Sequence, residues 1–197
     1  MLRKWAETSE ILIAADSGAD RLMEIGMAPH ITVGDFDSSS EKARALSFEL
    51  IQNSSESYTD CDKLLEVAQE RGLMPMTLIC SEGDRLDHVL STLTSLANSG
   101  TSPLVRLALR SGIGFVVAPG ATRHKFGVGR TISLIPLSPC TEVTTEGLKW
   151  ELRNATLEPG KSISISNLTV EPYTNVTLGE GTLLMIASMS EDEMPAW

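Results

Sequence analysis

Asp35 and Asp37 stand one residue apart in VGDFDSSSEKA, directly after a β-branched run and between Gly34 and three serines. On an extended chain, carboxylates at i and i+2 point to the same side, where they repel each other. A divalent cation is the usual partner that offsets such repulsion. More acid lies nearby: eight of the nine aspartates precede residue 90, among them Asp16, Asp60, Asp62, Asp84 and Asp87. Lys63 follows one acidic pair, and Arg85 lies between the members of another. Carboxylates to hold Mg2+, cationic side chains, and free N–H groups at helix starts form the inventory of metal-dependent phosphoryl transfer.

The elements around these residues alternate. EILIAAD (10–16) is a continuous apolar run, as in a strand buried on both faces of a parallel sheet. SGADRLMEIG turns into a helix closed by Gly26, and HITVGD is a second strand. Ser38-x-x-Glu41 has the spacing of a capping box, which predicts a helix through SSSEKARALSFEL. Thr59 is placed to cap a third helix whose inward stripe is Cys61, Leu64, Leu65 and Ala68. MTLICS and LVRLAL read as strands around a helix with Leu86, Val89, Leu90, Leu93, Leu96 and Ala97 along one side, ended by Gly100. The expected fold is therefore α/β, with a Rossmann-like parallel sheet over residues 1–118. After Pro119-Gly120 the chain breaks into strand-like runs divided by Gly, Pro and Asn, with no helix, which predicts an all-β sandwich or barrel over 119–197 and a frayed tail. In such sheets ligands bind beyond the carboxyl ends of the strands. Asp16 ends the first strand, and Asp35 and Asp37 end the second.

Plainer roles are open to several of these residues. Asp60 and Asp62 can simply complement a helix dipole, and Asp16 before Gly18 can be a turn residue. Asp20 beside Arg21 reads as solvated surface, His88 as a structural histidine, and Trp150 in GLKWEL as β-core.

Bulk properties narrow the class. Lys and Arg number 16 against 26 Asp and Glu, a net charge of −10, which argues against a nucleic-acid partner. No apolar run is long enough to cross a membrane, and the first residues lack the apolar stretch of a signal peptide. Three scattered cysteines, Cys61, Cys80 and Cys140, fit a reducing cytoplasm better than a disulfide scaffold.

AADSGADRL, GDFDSS, TDCDK and GDRLDH, in that order, resemble the motifs of the thiamine pyrophosphokinase family. GRTISLIPL, TEGLKWEL and SISN resemble its β domain. The resemblance implies transfer of pyrophosphate from ATP to the hydroxyl of thiamine, giving thiamine diphosphate and AMP with Mg2+ as cofactor. By motif, Asp35, Asp37 and Asp60 would ligate the metal. Asp16, Gly18, Lys63, Arg85 and Asp87 would line the nucleotide site, and Ser164, Ser166 and Asn167 would hold thiamine. Arg85, Asp60 and Asp87 would be catalytic, either aspartate serving if a general base is needed. The family is a homodimer with sites at the subunit interface.

This chain departs from the family in three places. Ser17 and Asp20 replace Gly and Asn of an ADGGAN motif, and Ser57 stands where the family has an aspartate. Before EILIAAD there are nine residues, where the family has a further strand and a Gly-rich loop. Two rival readings follow. One is a thiamine- or nucleotide-binding module with impaired turnover. The other is a haloacid-dehalogenase-type phosphatase, whose DxDx[TV] motif DFDSS resembles, although Gly34 interrupts the strand that such a motif needs.

Overall fold

The computed structural model describes residues 2–79, 82, 85–98, 104–162 and 164–193. Cys80, Asp84, Gly100 and the end of the tail lie outside the described residues. By packing, the chain forms two compact units, Met1–Pro75 and Met76–Trp197.

In the first unit, β1 (Ile13–Ala15), β2 (Ile31–Gly34) and β3 (Glu49–Gln52) pair in parallel in that order. Helices α1 (Leu2–Thr8), α2 (Gly18–Glu24), α3 (Glu41–Leu46) and α4 (Asp60–Glu70) surround them. Alternation along the strands divides the apolar side chains between the two faces. Ala14 packs with Ala6, Ala19, Leu22 and Ala43, whereas Ile13, Ile31, Val33 and Ile51 pack with Val67 and Leu73. With a helix layer on each face, the strands need no polar side, which is why Ile13–Ala15 is apolar throughout; Glu10–Leu12, expected in the same strand, precede it, and Ile11 is exposed.

Local caps decide where the helices begin. Thr59 caps α4 as expected, in a reciprocal box in which the Asp62 carboxylate accepts the Thr59 N–H at 2.9 Å. Helix α3, however, is capped by Ser40, not Ser38: Ser40 Oγ accepts the Ala43 N–H at 3.1 Å. It also stops at Leu46, four residues before the end expected for it. Ser47 turns extended and shares a 2.7 Å hydrogen bond with Thr32 of β2, and this leads the chain into β3.

In the second unit, β4 (Met76–Ile79) and β5 (Val105–Leu109) are parallel and joined through α5 (Leu86–Asn98). These two strands were expected in the sheet of the first half. Instead, β5 turns through Arg110 and Ser111 into antiparallel β6 (Gly112–Val117). The two-residue turn makes that pairing local and cheap in loop entropy. With β8 (Thr131–Pro136), β11 (Ser164–Leu168) and β13 (Leu183–Ser188) they form a six-stranded sheet of order β11-β8-β13-β6-β5-β4. A four-stranded antiparallel sheet has the order β10-β9-β12-β7, from β7 (Gly120–Lys125), β9 (Cys140–Glu146), β10 (Ala155–Leu157) and β12 (Tyr173–Leu178). The apolar side of α5 is only partly covered: Leu96 is buried, but Leu86 and Leu90 are exposed. At the other end, Glu191–Glu193 forms a 3₁₀ turn where a frayed tail was expected. Arg130 and Ser190 hold it, and their hydrogen bonds keep the Glu193 carboxyl down at about 2.

Phe115 of the larger sheet packs on His124 and Phe126 from the region of β7, the His124 and Phe126 rings lying parallel 5.5 Å apart. Burial holds the His124 imidazole below its ordinary value. Between that lowered value and the unfolded one, the unfolded chain binds the extra proton, so stability falls as pH drops below about 6.5. His124→Phe should therefore lose less melting temperature than wild type between pH 7 and pH 5. Equal losses in thermal unfolding would contradict this.

Candidate active site

Strand pairing sets the first contact of the site. Ala15 of β1 lies opposite Val33 of β2, and the Asp16 N–H donates to the Val33 carbonyl at 2.9 Å. Asp16 therefore leaves its strand beside the point where Gly34 and Asp35 leave theirs. Gly34 has φ of 155°, and a Cβ there would lie 3.1 Å from Asp16 Cβ, so the position favours glycine for conformation and for space. As a result, one oxygen from each of Asp16, Asp35 and Asp37 lies within 4.8 Å of the other two.

The three carboxylates differ in surroundings. Asp16 is 2% exposed, and neither carboxylate oxygen has a hydrogen-bond partner among the described residues. Asp35 is exposed, yet its Oδ1 accepts the Asp37 N–H at 3.1 Å. That bond, followed by the charge of Lys63, holds its carboxyl below the usual range. Asp37 goes the other way, pushed up first by the charge of Asp35 and then by desolvation and Asp16. An all-oxygen donor set with an unpartnered buried member suits a hard divalent cation.

Lys63 comes from the first turn of α4. Its side chain is 3% exposed, and Nζ lies 3.2 Å from Asp60 Oδ1. A buried ammonium is stable only when paired. Asp60, expected among the metal ligands, thus pairs with Lys63 and is not one of the three clustered carboxylates, while Asp16, expected at the nucleotide, is. Gly18 is the first residue of α2 and half-buried, 3.7 Å from Ala14 when given a Cβ.

The remaining expected residues lie in the second unit. Arg85 Nη2 and Asp87 Oδ2 form an exposed pair at 2.6 Å, which holds Asp87 below the usual carboxylate range and raises Arg85. Ser164 is half-buried, and Ser166 is exposed with φ of 56° and donates its N–H to Ser133 Oγ. Asn167 is 2% exposed, and its amide holds nearby backbone: Nδ2 donates to the Trp150 carbonyl at 2.7 Å, and Oδ1 accepts the N–H groups of Trp150 at 3.1 Å and Leu168 at 2.9 Å. Trp150, expected in the β-core, is 57% exposed, with Lys149 Nζ 4.7 Å from its ring centre. The signal for this was Gly147, which ends the strand run of β9 before the tryptophan.

Residues 2–106 match the family model described as thiamin pyrophosphokinase, catalytic domain, and residues 121–183 match thiamin pyrophosphokinase, vitamin B1 binding domain. The chain belongs to the thiamin pyrophosphokinase family. It is 28% identical over 195 residues to thiamine pyrophosphokinase of Bacillus subtilis, spanning 95% of this chain and 91% of that one. Thiamin pyrophosphokinase 1 of Caenorhabditis elegans is also 28% identical, over 151 residues. Among solved structures, thiamine pyrophosphokinase from Bacillus subtilis superposes with a TM-score of 0.76 at 26% identity, covering 94% of this chain and 91% of that one. A thiamin pyrophosphokinase family protein from Enterococcus faecalis gives 0.77 at 25% identity, covering 91% and 88%.

The acidic cluster of this family member makes a prediction without substrate. Asp37, with its raised value, adds stability below its unfolded value and loses it as pH rises through the folded one. In metal-free protein at pH 7.5, Asp37→Asn should therefore melt higher than wild type, and the gain should shrink toward pH 4. A lower melting temperature at pH 7.5 would contradict the repulsion described here.

Proposed function

We propose that this chain is a Mg2+-dependent thiamine pyrophosphokinase, transferring the pyrophosphoryl group of ATP to the hydroxyl of thiamine and releasing AMP. The observation that carries the reading is the clustering of Asp16, Asp35 and Asp37 beside a buried lysine, in a chain matched by both domain models of one family. The matches at 2–106 and 121–183 support a functional division near residue 118, with the nucleotide and metal on the first part and thiamine on the second.

In this reading Asp16, Asp35 and Asp37 hold the metal. Bound there, Mg2+ offsets the charge of the ATP phosphates. The thiamine hydroxyl oxygen attacks the β-phosphorus, its proton passes to a phosphate oxygen or to water, the bond from that phosphorus to the α–β bridging oxygen breaks, and AMP leaves with the electron pair. Lys63, oriented by Asp60, supplies a fixed positive charge for phosphate oxygens. Arg85 serves the same purpose at the nucleotide, with Asp87 setting its orientation. Such a loose transition state gains most from positioning and charge neutralisation. A general base is dispensable, and Arg85 makes Asp87 a weak one. Gly18 lets the turn after Asp16 come close to the nucleotide.

Thiamine carries a thiazolium cation, which suits an acidic protein. Trp150 offers an exposed aromatic face to it. Ser164 and Ser166 supply hydroxyls to its pyrimidine, and Asn167 fixes the Trp150 backbone. We further propose a homodimer with its sites at the subunit interface, working in the cytoplasm, as the scattered cysteines support. No helix among the described residues is long and apolar enough to cross a membrane.

AMP formation from Mg-ATP, measured with and without thiamine, tests the reading. Wild type should form AMP only with thiamine, and Asp35→Ala and Lys63→Met should each lower the rate by about 10²–10³-fold. No AMP from folded wild type would leave a binding module in place of an enzyme. Phosphate release from a monoester would point to the phosphatase.

A further inference from the structure

The carboxylates of Asp35 and Asp37 ride on a loop with unusual backbone. Between them, Phe36 has φ of 69°, a region that a bulky residue adopts only where neighbours enforce it. Two side chains outside the acidic cluster do so.

Arg44 reaches back from α3. Its Nη1 donates to the Phe36 carbonyl at 2.9 Å, to the Ser39 carbonyl, and to Ser39 Oγ at 3.3 Å. The guanidinium carbon also lies 5.8 Å from the Phe36 ring centre. From α2, Asp20 Oδ2 accepts the Ser40 N–H at 3.0 Å, and Ser40 is the residue that caps α3. The loop is thus gripped at Phe36, Ser39 and Ser40 by two helices that pack on each other. Asp20, read from sequence as solvated surface, is held below the usual carboxylate range by its bonds to Ser40 and by the charge of Arg44.

We propose that Arg44, assisted by Asp20, is a positioning residue for the metal site. It fixes the Phe36 and Ser39 carbonyls, so that Asp35 and Asp37 stay near Asp16 against their mutual repulsion and hold a divalent cation. The proposal rests on the Mg2+ reading of the cluster. A lysine keeps the charge and a donor nitrogen but lacks the planar guanidinium that lies by the Phe36 ring, so Arg44→Lys is a graded variant and not a neutral one. Groups that orient metal ligands cost about 10–100-fold in metal affinity when removed, and that is the size expected here.

The test is calorimetric titration of Mg2+ into metal-free wild type, Arg44→Met, Arg44→Lys and Asp20→Ala, with thermal unfolding of each as the folding control. Arg44→Met should bind Mg2+ about 10–100-fold more weakly, with Arg44→Lys and Asp20→Ala between it and wild type. In the AMP assay, the Mg2+ concentration for half-maximal rate should rise by a similar factor, with most of the maximal rate recovered at saturating Mg2+. A purely structural Arg44 would lower the melting temperature and leave Mg2+ affinity unchanged, and that result overturns the proposal. If Arg44→Met does not fold, unchanged affinity in both other variants overturns it equally. If wild type itself binds no Mg2+, the metal reading fails and this proposal with it. Wild-type binding matched by folded Arg44→Met removes the positioning role alone.

Discussion

Mutual repulsion among Asp16, Asp35 and Asp37 is the constraint on which the first unit turns. Three carboxylates within 4.8 Å would separate on a free chain. Here the separation is blocked by covalent and hydrogen-bonded geometry. Register between β1 and β2 puts Asp16 beside the exit of β2. Gly34 allows the close approach, and the Phe36 to Ser40 backbone is tied to α2 and α3. A buried lysine adds the opposite charge, held by Asp60. The arrangement gives up local stability to keep like charges together, as functional sites in folded proteins often do.

Much of this was legible in the sequence because it depends on short-range rules. Paired aspartates after a β-branched run, the Thr59 cap and the alternation of strands and helices follow from spacing alone. The family could be recognised from the order of four motifs. What was missed depends on tertiary partners. Ser40, not Ser38, caps α3 because Asp20 and Arg44 engage the serine loop, and neither contact has a sequence signature. Strand β3 was hidden because Phe48 and Leu50, apolar in sequence, are exposed beside a tie from Ser47 to Thr32. The grouping of Asp16 with Asp35 and Asp37, and of Asp60 with Lys63, was likewise not written in the spacing. Which carboxylate meets which is set by strand register and by the reach of Lys63.

The second unit shows the same division. Its strands were visible as runs between Gly, Pro and Asn, but their partners were not. The short turn at Arg110 and Ser111 commits β5 to β6, and with it β4 joins the larger sheet. Trp150 has the composition of a core residue, yet Asn167 holds its main chain while the indole faces outward.

The central claim is that the three carboxylates form one divalent-cation site. The most direct measurement is a crystal structure with Mn2+ and a non-hydrolysable ATP analogue, read by anomalous scattering. The account predicts a manganese peak within about 2.3 Å of oxygens from Asp16, Asp35 and Asp37 together. A metal bound at other residues, with these three carboxylates left uncoordinated, would contradict it.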